Sequence, residues 1–133
     1  MTHHASGTFD VKLTPQAPDQ SGADPGAARL LIDKQFHGDL QATSKGQMLA
    51  VGTEVKGSAG YVAMERVTGT LHGRNGGFAL QHNGTMTRGA PSLSVTVVPD
   101  SGTGELAGID GRMSIEIVEG KHLYGFDYTL AAS

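Results

Sequence analysis

The chain has 133 residues, a net charge of −3 and no cysteine. Its length fits one domain spanning residues 1–133, and the lack of cysteine excludes a disulfide scaffold, a thiol nucleophile and a cysteine-ligated zinc site. Basic residues form no cluster and no apolar run is long enough to cross a bilayer, so we expect neither a nucleic-acid nor a membrane partner. The N-terminus carries no secretory pattern, and we expect a cytoplasmic protein.

Taken in chain order, the predicted elements are eight strands and no full helix. Alternation of apolar and polar side chains marks the first strand, which carries Phe9, Val11 and Leu13 on one face. Residues 15–27 form a loop by composition, rich in proline, glycine and aspartate. The strands are predicted at residues 5–14, 30–43, 47–55, 61–72, 78–88, 93–97, 112–118 and 122–130. The best helical candidate is a single turn at residues 105–110.

Short turns connect most of these strands. We place one turn at Ser44, Lys45 and Gly46, and the turn of a long central hairpin at Asn75-Gly76, because Asn-Gly is a strong hairpin signal. Eight antiparallel strands joined in this way predict an all-β fold, an eight-stranded antiparallel up-and-down barrel, since closure removes exposed sheet edges. A two-sheet sandwich is the structural alternative. The 20 glycines, several of them inside strands, favour the strongly coiled strands of a barrel.

The central hairpin separates inward from outward residues. With Asn75-Gly76 as its turn, Glu65 pairs with Met86 and Gly69 with His82. The apolar face, which includes Tyr61, Phe78 and Leu80, must then point inward together with Glu65 and His82. The opposite face is rich in Thr, Asn and Gln, so any homo-oligomer is expected to use other strands. A turn shifted by one residue at each end preserves these faces.

Further polar side chains join this interior by the same alternation. Strand eight contributes Tyr124 and Tyr128, with His122 at its mouth, and strand two contributes Lys34. We interpret Glu65 and His82 either as a structural hydrogen-bond network or as an acid–base pair serving a ligand. Lys34 is either a snorkelling side chain or a ligand contact, and the buried Tyr hydroxyls either find structural acceptors or orient a ligand.

No motif indicates a metal or a cofactor. The six histidines show no paired ligand spacing, and His72 and His82 fall on opposite faces. Gly102-Thr103-Gly104 lacks the Gly-Lys-Ser/Thr triplet of a phosphate loop and is interpreted as a tight turn. No nucleophile elbow is present. We therefore predict no cofactor and no metal.

Several segments of the sequence resemble those of a known family. The segment 97–111, with its Gly102-Thr103-Gly104 turn, is similar to the matching part of allene oxide cyclases and dirigent proteins. The order of the segments 34–40, 57–65, 69–74 and 126–130 resembles the bacterial domain-of-unknown-function 3224 family, grouped with the allene oxide cyclase-like barrels. The resemblance spans residues 7–130 and implies an eight-stranded barrel. It implies no settled activity; the plant cyclases bind an oxylipin epoxide, and dirigent proteins steer radical coupling.

Three functions remain open from the sequence. The first is a cofactor-independent cyclase or isomerase that encloses an apolar, oxygen-bearing molecule, with Glu65 and His82 transferring protons. Its ligand-binding residues would be Lys34, Tyr61, Phe78, Tyr124 and Tyr128. The second is a ligand carrier without chemistry, and the third is a filled barrel that acts through its surface. Catalysis at neutral pH would favour a raised pKa for Glu65.

Overall fold

The computed structural model describes residues 2–16 and 28–130, and in these ranges the chain forms nine strands. The strands are β1 (His3–Pro15), β2 (Ala28–Gly38), β3 (Leu40–Gly52), β4 (Ala59–Leu71), β5 (Arg74–Thr87), β6 (Ala90–Val97), β7 (Thr103–Gly104), β8 (Asp110–Val118) and β9 (Lys121–Thr129). Most of the predicted loop at residues 15–27 lies outside the described residues.

The eight long strands close into a barrel. Around the ring they follow the order β4-β3-β2-β1-β9-β8-β6-β5, and β5 pairs back onto β4. Every neighbouring pair is antiparallel. The predicted eight-stranded antiparallel barrel is therefore confirmed, and the sandwich alternative is wrong because each long strand has another long strand paired on both of its sides. The two-residue β7 pairs only with β5.

The described residues contain no helix. Where a single helical turn is predicted, at 105–110, the chain instead makes successive tight turns. Leu106 N–H donates to Thr103 O at 3.0 Å and Ile109 N–H to Leu106 O at 3.1 Å. Both Leu106 and Ile109 are buried, so this segment packs its apolar side chains into the barrel.

The two ends of the barrel differ. One end carries the β2–β3 and β4–β5 turns and the segment 98–109, and we call it the closed end. Its interior is filled by aromatic and aliphatic side chains, including Phe36, Phe78, Phe126, Leu40 and Leu71, all essentially inaccessible to solvent. The opposite end, where β1, β3, β5 and β8 finish, we call the open end.

The turn predicted at Ser44, Lys45 and Gly46 is wrong. These residues lie within β3, and the chain reverses earlier, at Gly38, whose φ of 105° is accessible to glycine at little cost. Gly46 is needed for another reason. A Cβ placed there would lie 2.1 Å from the backbone oxygen of Met64, so β3 and β4 approach closely at this point.

The turn predicted at Asn75-Gly76 is also wrong. Leu71 pairs with Arg74, so His72 and Gly73 form the two-residue turn, with φ values of 47° and 79°. Positive φ at both positions matches a type I′ hairpin. Gly76 instead lies in β5, where it pairs with Gly104 of β7.

This earlier turn slides β5 along β4 without exchanging its faces. Glu65 pairs with Leu80 rather than Met86, and His82 pairs with Ala63 rather than Gly69. The slide from Met86 to Leu80 is an even number of residues. Side chains alternate with a period of two, so the predicted inward residues remain inward.

The outer surface is less uniformly polar than predicted. Near the open end, Val62 and Met64 point outward from β4 and are 52% and 50% exposed. Leu49 of β3 pairs with Val62 and is 49% exposed. On β4 the polar part of the outward face is therefore confined to the residues nearer the turn. In the ranges that the structure describes, no helix has the length and apolar character needed to span a membrane.

Candidate ligand site in the barrel

A cavity of about 630 Å³ occupies the open end of the barrel. This volume lies within the range of small-molecule sites, roughly 300–1,000 Å³. Its walls are almost entirely apolar. The lining includes Phe9, Val11, Leu13, Ile32, Met48, Ala50, Ala63, Met86, Leu93, Ile115, Ile117 and His122.

Of the polar side chains that line this cavity, three come together on one part of its wall. Lys34 on β2, Tyr61 on β4 and His82 on β5 all contribute to its lining. Glu65 does not line the cavity, and its side chain is fully buried. Its Oε2 accepts a hydrogen bond from Lys34 Nζ at 2.8 Å and contacts His82 Nε2 at 3.0 Å. The carboxylate therefore lies behind the lysine and the histidine.

Strand register brings these groups together. Glu65 pairs with Leu80, so His82 is its diagonal neighbour on the same inward face, a distance that long side chains span. In the predicted register His82 lies four residues beyond the partner of Glu65, about 13 Å along the strand. The contact between Glu65 and His82 thus depends on the turn at His72-Gly73.

Gly46 opens the path from Lys34 to Glu65. Lys34 pairs with Ser44 of β3, and Glu65 pairs with Gly46 of the same strand. A side chain at position 46 would meet Glu65, since a Cβ built there lies 2.8 Å from the Cβ of Glu65. Because glycine stands at this position, the lysine crosses β3 and reaches the carboxylate.

Two opposing effects act on Glu65. Burial raises the pKa of its carboxyl, but the hydrogen bond with His82 and the charge and hydrogen bond of Lys34 together hold the pKa below its ordinary value. This direction is opposite to the raised pKa that catalysis by Glu65 at neutral pH would favour. Glu65 is therefore ionised at neutral pH and serves the cluster as a negative charge.

The ionised carboxylate of Glu65 determines which ring nitrogen of His82 carries the hydrogen. A carboxylate only accepts hydrogen bonds, so His82 Nε2 carries the hydrogen and donates it. In the neutral ring, Nδ1 is then an acceptor, and the Tyr61 hydroxyl lies 3.4 Å from it. Burial and, to a lesser degree, the charge of Glu65 raise the pKa of Tyr61, so its hydroxyl stays protonated. Tyr61, His82 and Glu65 thus form a chain of hydrogen-bonding groups.

The lysine also contacts two aromatic rings. Its Nζ lies 4.9 Å from the ring centroid of Phe9 and 5.7 Å from that of Phe36. Both distances fit cation–π attraction, which is stronger for a desolvated cation. Among the described residues, Glu65 Oε1 and the buried Ser44 Oγ have no hydrogen-bond partner. The cluster therefore retains acceptor capacity beside Lys34.

Three predicted ligand-binding residues lie elsewhere. Phe78, Tyr124 and Tyr128 are buried toward the closed end and do not line the cavity. The Tyr124 hydroxyl accepts from Leu40 N–H at 2.9 Å and donates to His37 O at 2.9 Å.

The other two residues pack in the same region. Phe78 and Tyr128 each stack on the ring of Phe126, with centroid distances of 5.5 and 5.3 Å. The Tyr128 hydroxyl is hydrogen-bonded to His72. Both tyrosine hydroxyls thus have partners within the protein, as expected if the two tyrosines are structural.

Sequence reasoning missed most of the apolar wall. The alternation of side chains is consistent with inward positions for Ile32 and Met48. The predicted strands that contain them nevertheless have the wrong ends, because the β2–β3 turn is predicted too late in the chain. Ser44, interpreted as a turn residue, is buried beside Lys34. His122, predicted at the mouth of the barrel, does line the cavity. Within the described ranges, no group of three His, Cys, Asp or Glu side chains is arranged to hold a metal ion.

Comparison with known proteins gives the family of the chain. Residues 5–128 match the model of the family described as a protein of unknown function, DUF3224. A solved structure from Shewanella oneidensis MR-1, a protein of unknown function from the DUF3224 family, has 47% sequence identity and a TM-score of 0.90. The match covers 99% of this chain and 100% of that one. No curated protein matches the chain. The chain therefore belongs to the DUF3224 family.

Proposed function

We propose that this barrel binds an apolar small molecule carrying an oxygen atom, in the cavity at its open end. The observation that carries the proposal is the distribution of polarity: an apolar wall with Lys34, Tyr61 and His82 collected together on it. Ligand sites combine these two features, since apolar surface supplies affinity and a few polar groups fix orientation. The ligand's oxygen would contact these groups, with its apolar body toward the mouth.

Apolar burial is sufficient to support such binding. At about 25 cal/mol per Å², a ligand that buries roughly 300 Å² of apolar surface gains about 7.5 kcal/mol. Loss of translational and rotational freedom offsets part of this gain. Lys34 is already paired with Glu65, so the charges of the cluster balance, and a neutral oxygen acceptor enters without leaving an extra buried charge.

A cavity-filling variant tests the binding proposal. Ala50 lines the cavity, whereas the next residue, Val51, points outward from the same strand and is 43% exposed. Native mass spectrometry and thermal shift against apolar alcohols, ketones and epoxides should show a stabilising ligand for the wild type. Ala50→Phe should abolish the shift and Val51→Phe should keep it. Equal shifts in both variants, or none in the wild type, would contradict binding in the cavity.

A second function is favoured by the Tyr61–His82–Glu65 chain. We propose that an isomerase or cyclase of this kind would use His82, which faces the cavity, to transfer a proton, while Glu65 holds the ring in one tautomer. Enclosure of a flexible substrate near its reactive conformation would supply much of the rate. Kinship with the allene oxide cyclase-like barrels is part of this proposal, and the closed eight-stranded barrel supports it.

Binding and turnover together separate enzyme from carrier. His82→Gln should keep ligand binding and lose most turnover if His82 transfers the proton. General acid–base catalysis typically contributes 10²–10⁴-fold, so a loss of that order is expected. Turnover unchanged in His82→Gln would contradict this assignment, and a ligand that binds but never reacts would favour the carrier. A cytoplasmic location, supported by the cysteine-free composition, and a homo-oligomer remain proposals.

A further inference from the structure

Lys34 differs from every other lysine of the chain. The chain contains five lysines, at positions 12, 34, 45, 56 and 121, and all lie within the described residues. Four of them are exposed, whereas the side chain of Lys34 is only 6% exposed and lines the cavity. An amine that is desolvated at an apolar cavity has one of the settings in which lysines form Schiff bases with carbonyl compounds.

We propose that Lys34 captures an apolar aldehyde as a Schiff base inside the cavity, an inference that rests on the proposed binding function. The aldehyde carbon would lie against Lys34 Nζ and its apolar body along the wall that includes Ile32, Met48 and Leu93. Aldehydes fit better than carboxylic acids, because the cluster holds one positive and one negative charge and has no spare cation for an anion.

The ion pair supplies the acid and the base of the reaction. Glu65 Oε2, 2.8 Å from Nζ, takes one proton from the ammonium and leaves a neutral amine. The transfer is transient, because the pKa of Glu65 lies below its ordinary value and the resting cluster favours the ion pair; burial of both charges lowers the cost of the transfer. The amine nitrogen then forms a bond to the carbonyl carbon, and a second nitrogen proton moves to the carbonyl oxygen, giving a neutral carbinolamine.

The dehydration step uses the proton that Glu65 took from the ammonium of Lys34. Glu65 donates it to the carbinolamine hydroxyl, the carbon–oxygen bond breaks, and water leaves as the iminium forms. The sum is one ammonium and one aldehyde converted to one iminium and one water, with no oxidant or reductant. The cation remains opposite the carboxylate and near the rings of Phe9 and Phe36. The charge balance of the site is therefore the same before and after capture.

Reductive trapping tests the inference on the intact protein. The wild type is incubated with decanal and cyanoborohydride at neutral pH, and peptide mapping locates the added decyl group. Labelling of Lys34 should exceed that of each exposed lysine on the order of tenfold or more, since binding holds the aldehyde beside the amine. Lys34→Arg should lose this label, because arginine keeps the positive charge but forms no such imine. Lys45→Arg, on the outer face of β3, is the matched control and should keep it.

Decan-1-ol separates failure of the inference from failure of the binding proposal. It has the same apolar chain but cannot form an imine, and its binding is followed by native mass spectrometry. Decanol binding with label spread over the exposed lysines, or with no label, would overturn Schiff-base capture and leave the binding proposal intact. Absence of both decanol binding and Lys34 label would overturn both. Wild-type mapping decides the matter even if Lys34→Arg does not fold.

Discussion

At the scale of single residues, the interior is organised around one carboxylate. Glu65 Oε2 contacts both Lys34 and His82, and no part of the Glu65 side chain reaches solvent. Removing one partner of a buried ion pair leaves the other charge without compensation, which costs far more than removing both. The stability of the site therefore depends on the pair and not on either member alone.

Truncating the pair should show this dependence. Lys34→Met should lower the free energy of unfolding by about 3–5 kcal/mol, because Glu65 is left buried and unpaired. The double variant Lys34→Met with Glu65→Leu should recover most of this loss. Urea denaturation at neutral pH measures all three proteins. A double variant as unstable as the single one would contradict the argument.

The same carboxylate predicts an acid limit of stability. The pKa of Glu65 is lower in the folded protein than its ordinary value of 4.5, so unfolding is accompanied by proton uptake in the acid range. Its stabilising contribution is complete above pH 4.5 and is lost as the pH falls through the folded-state pKa. Urea titrations from neutral to acid pH should show a steeper loss in the wild type than in Glu65→Gln. Parallel curves would exclude Glu65 as a source of the acid dependence.

At the scale of elements, glycine positions set how strands meet. Gly46 and Gly52 lie on the same strand, but their surroundings differ. A Cβ at Gly46 would lie 2.1 Å from Met64 O, whereas one at Gly52 would meet nothing among the described residues within 4 Å. The close approach at Gly46 also clears the route from Lys34 to Glu65. This one residue therefore couples the pairing of β3 and β4 to the ligand site.

Substituting alanine for each of these two glycines should change the stability of the protein by different amounts. Gly46→Ala should destabilise the protein by about 2–3 kcal/mol, the magnitude of overpacking against backbone that cannot move aside. Gly52→Ala should be nearly neutral or slightly stabilising, because it restricts the unfolded chain without a clash. Chemical denaturation compares them. In the soluble fraction, Gly46→Ala should also weaken decanol binding, and equal stability of the two variants would refute the steric argument.

At the scale of the whole molecule, one end of the barrel carries the packed core and the other holds the cavity. The closed end buries Phe36, Phe78 and Phe126 completely, while Leu93 and Ile117 at the open end are 42% and 67% exposed. Closure of all eight strands holds the weakly packed end in place. This division allows a cavity without loss of the fold.

Truncating an apolar side chain should destabilise the protein much more at the closed end than at the open end. Phe126→Ala should cost about 3–5 kcal/mol, because it removes a fully buried ring from the closed end. Leu93→Ala should cost under about 1 kcal/mol, since its side chain is partly in solvent already. Denaturant midpoints measure both. A comparable loss in the two variants would show that the open end contributes to the core as strongly as the closed end.

The pattern of apolar and polar residues is enough to predict which side chains face inward. Alternation is a local property of a strand, so the order of residues alone predicts that Glu65, His82 and Lys34 point into the interior. The number of strands and the closed barrel followed from the spacing of turn residues and the need to cover sheet edges. The family resemblance pointed to the same barrel.

Contacts between the inward residues depend instead on how the strands pair in the folded barrel. Two turn signals, His72-Gly73 and Asn75-Gly76, compete in the central hairpin, and both keep the same faces inward. The choice between them depends on hydrogen bonding to other strands: Gly76 pairs with Gly104, and β5 must align with β4 and β6 together. A slide by an even number of residues leaves alternation unchanged but moves His82 from about 13 Å along the strand to a diagonal neighbour of Glu65. The local sequence therefore specifies faces, and long-range pairing specifies contacts.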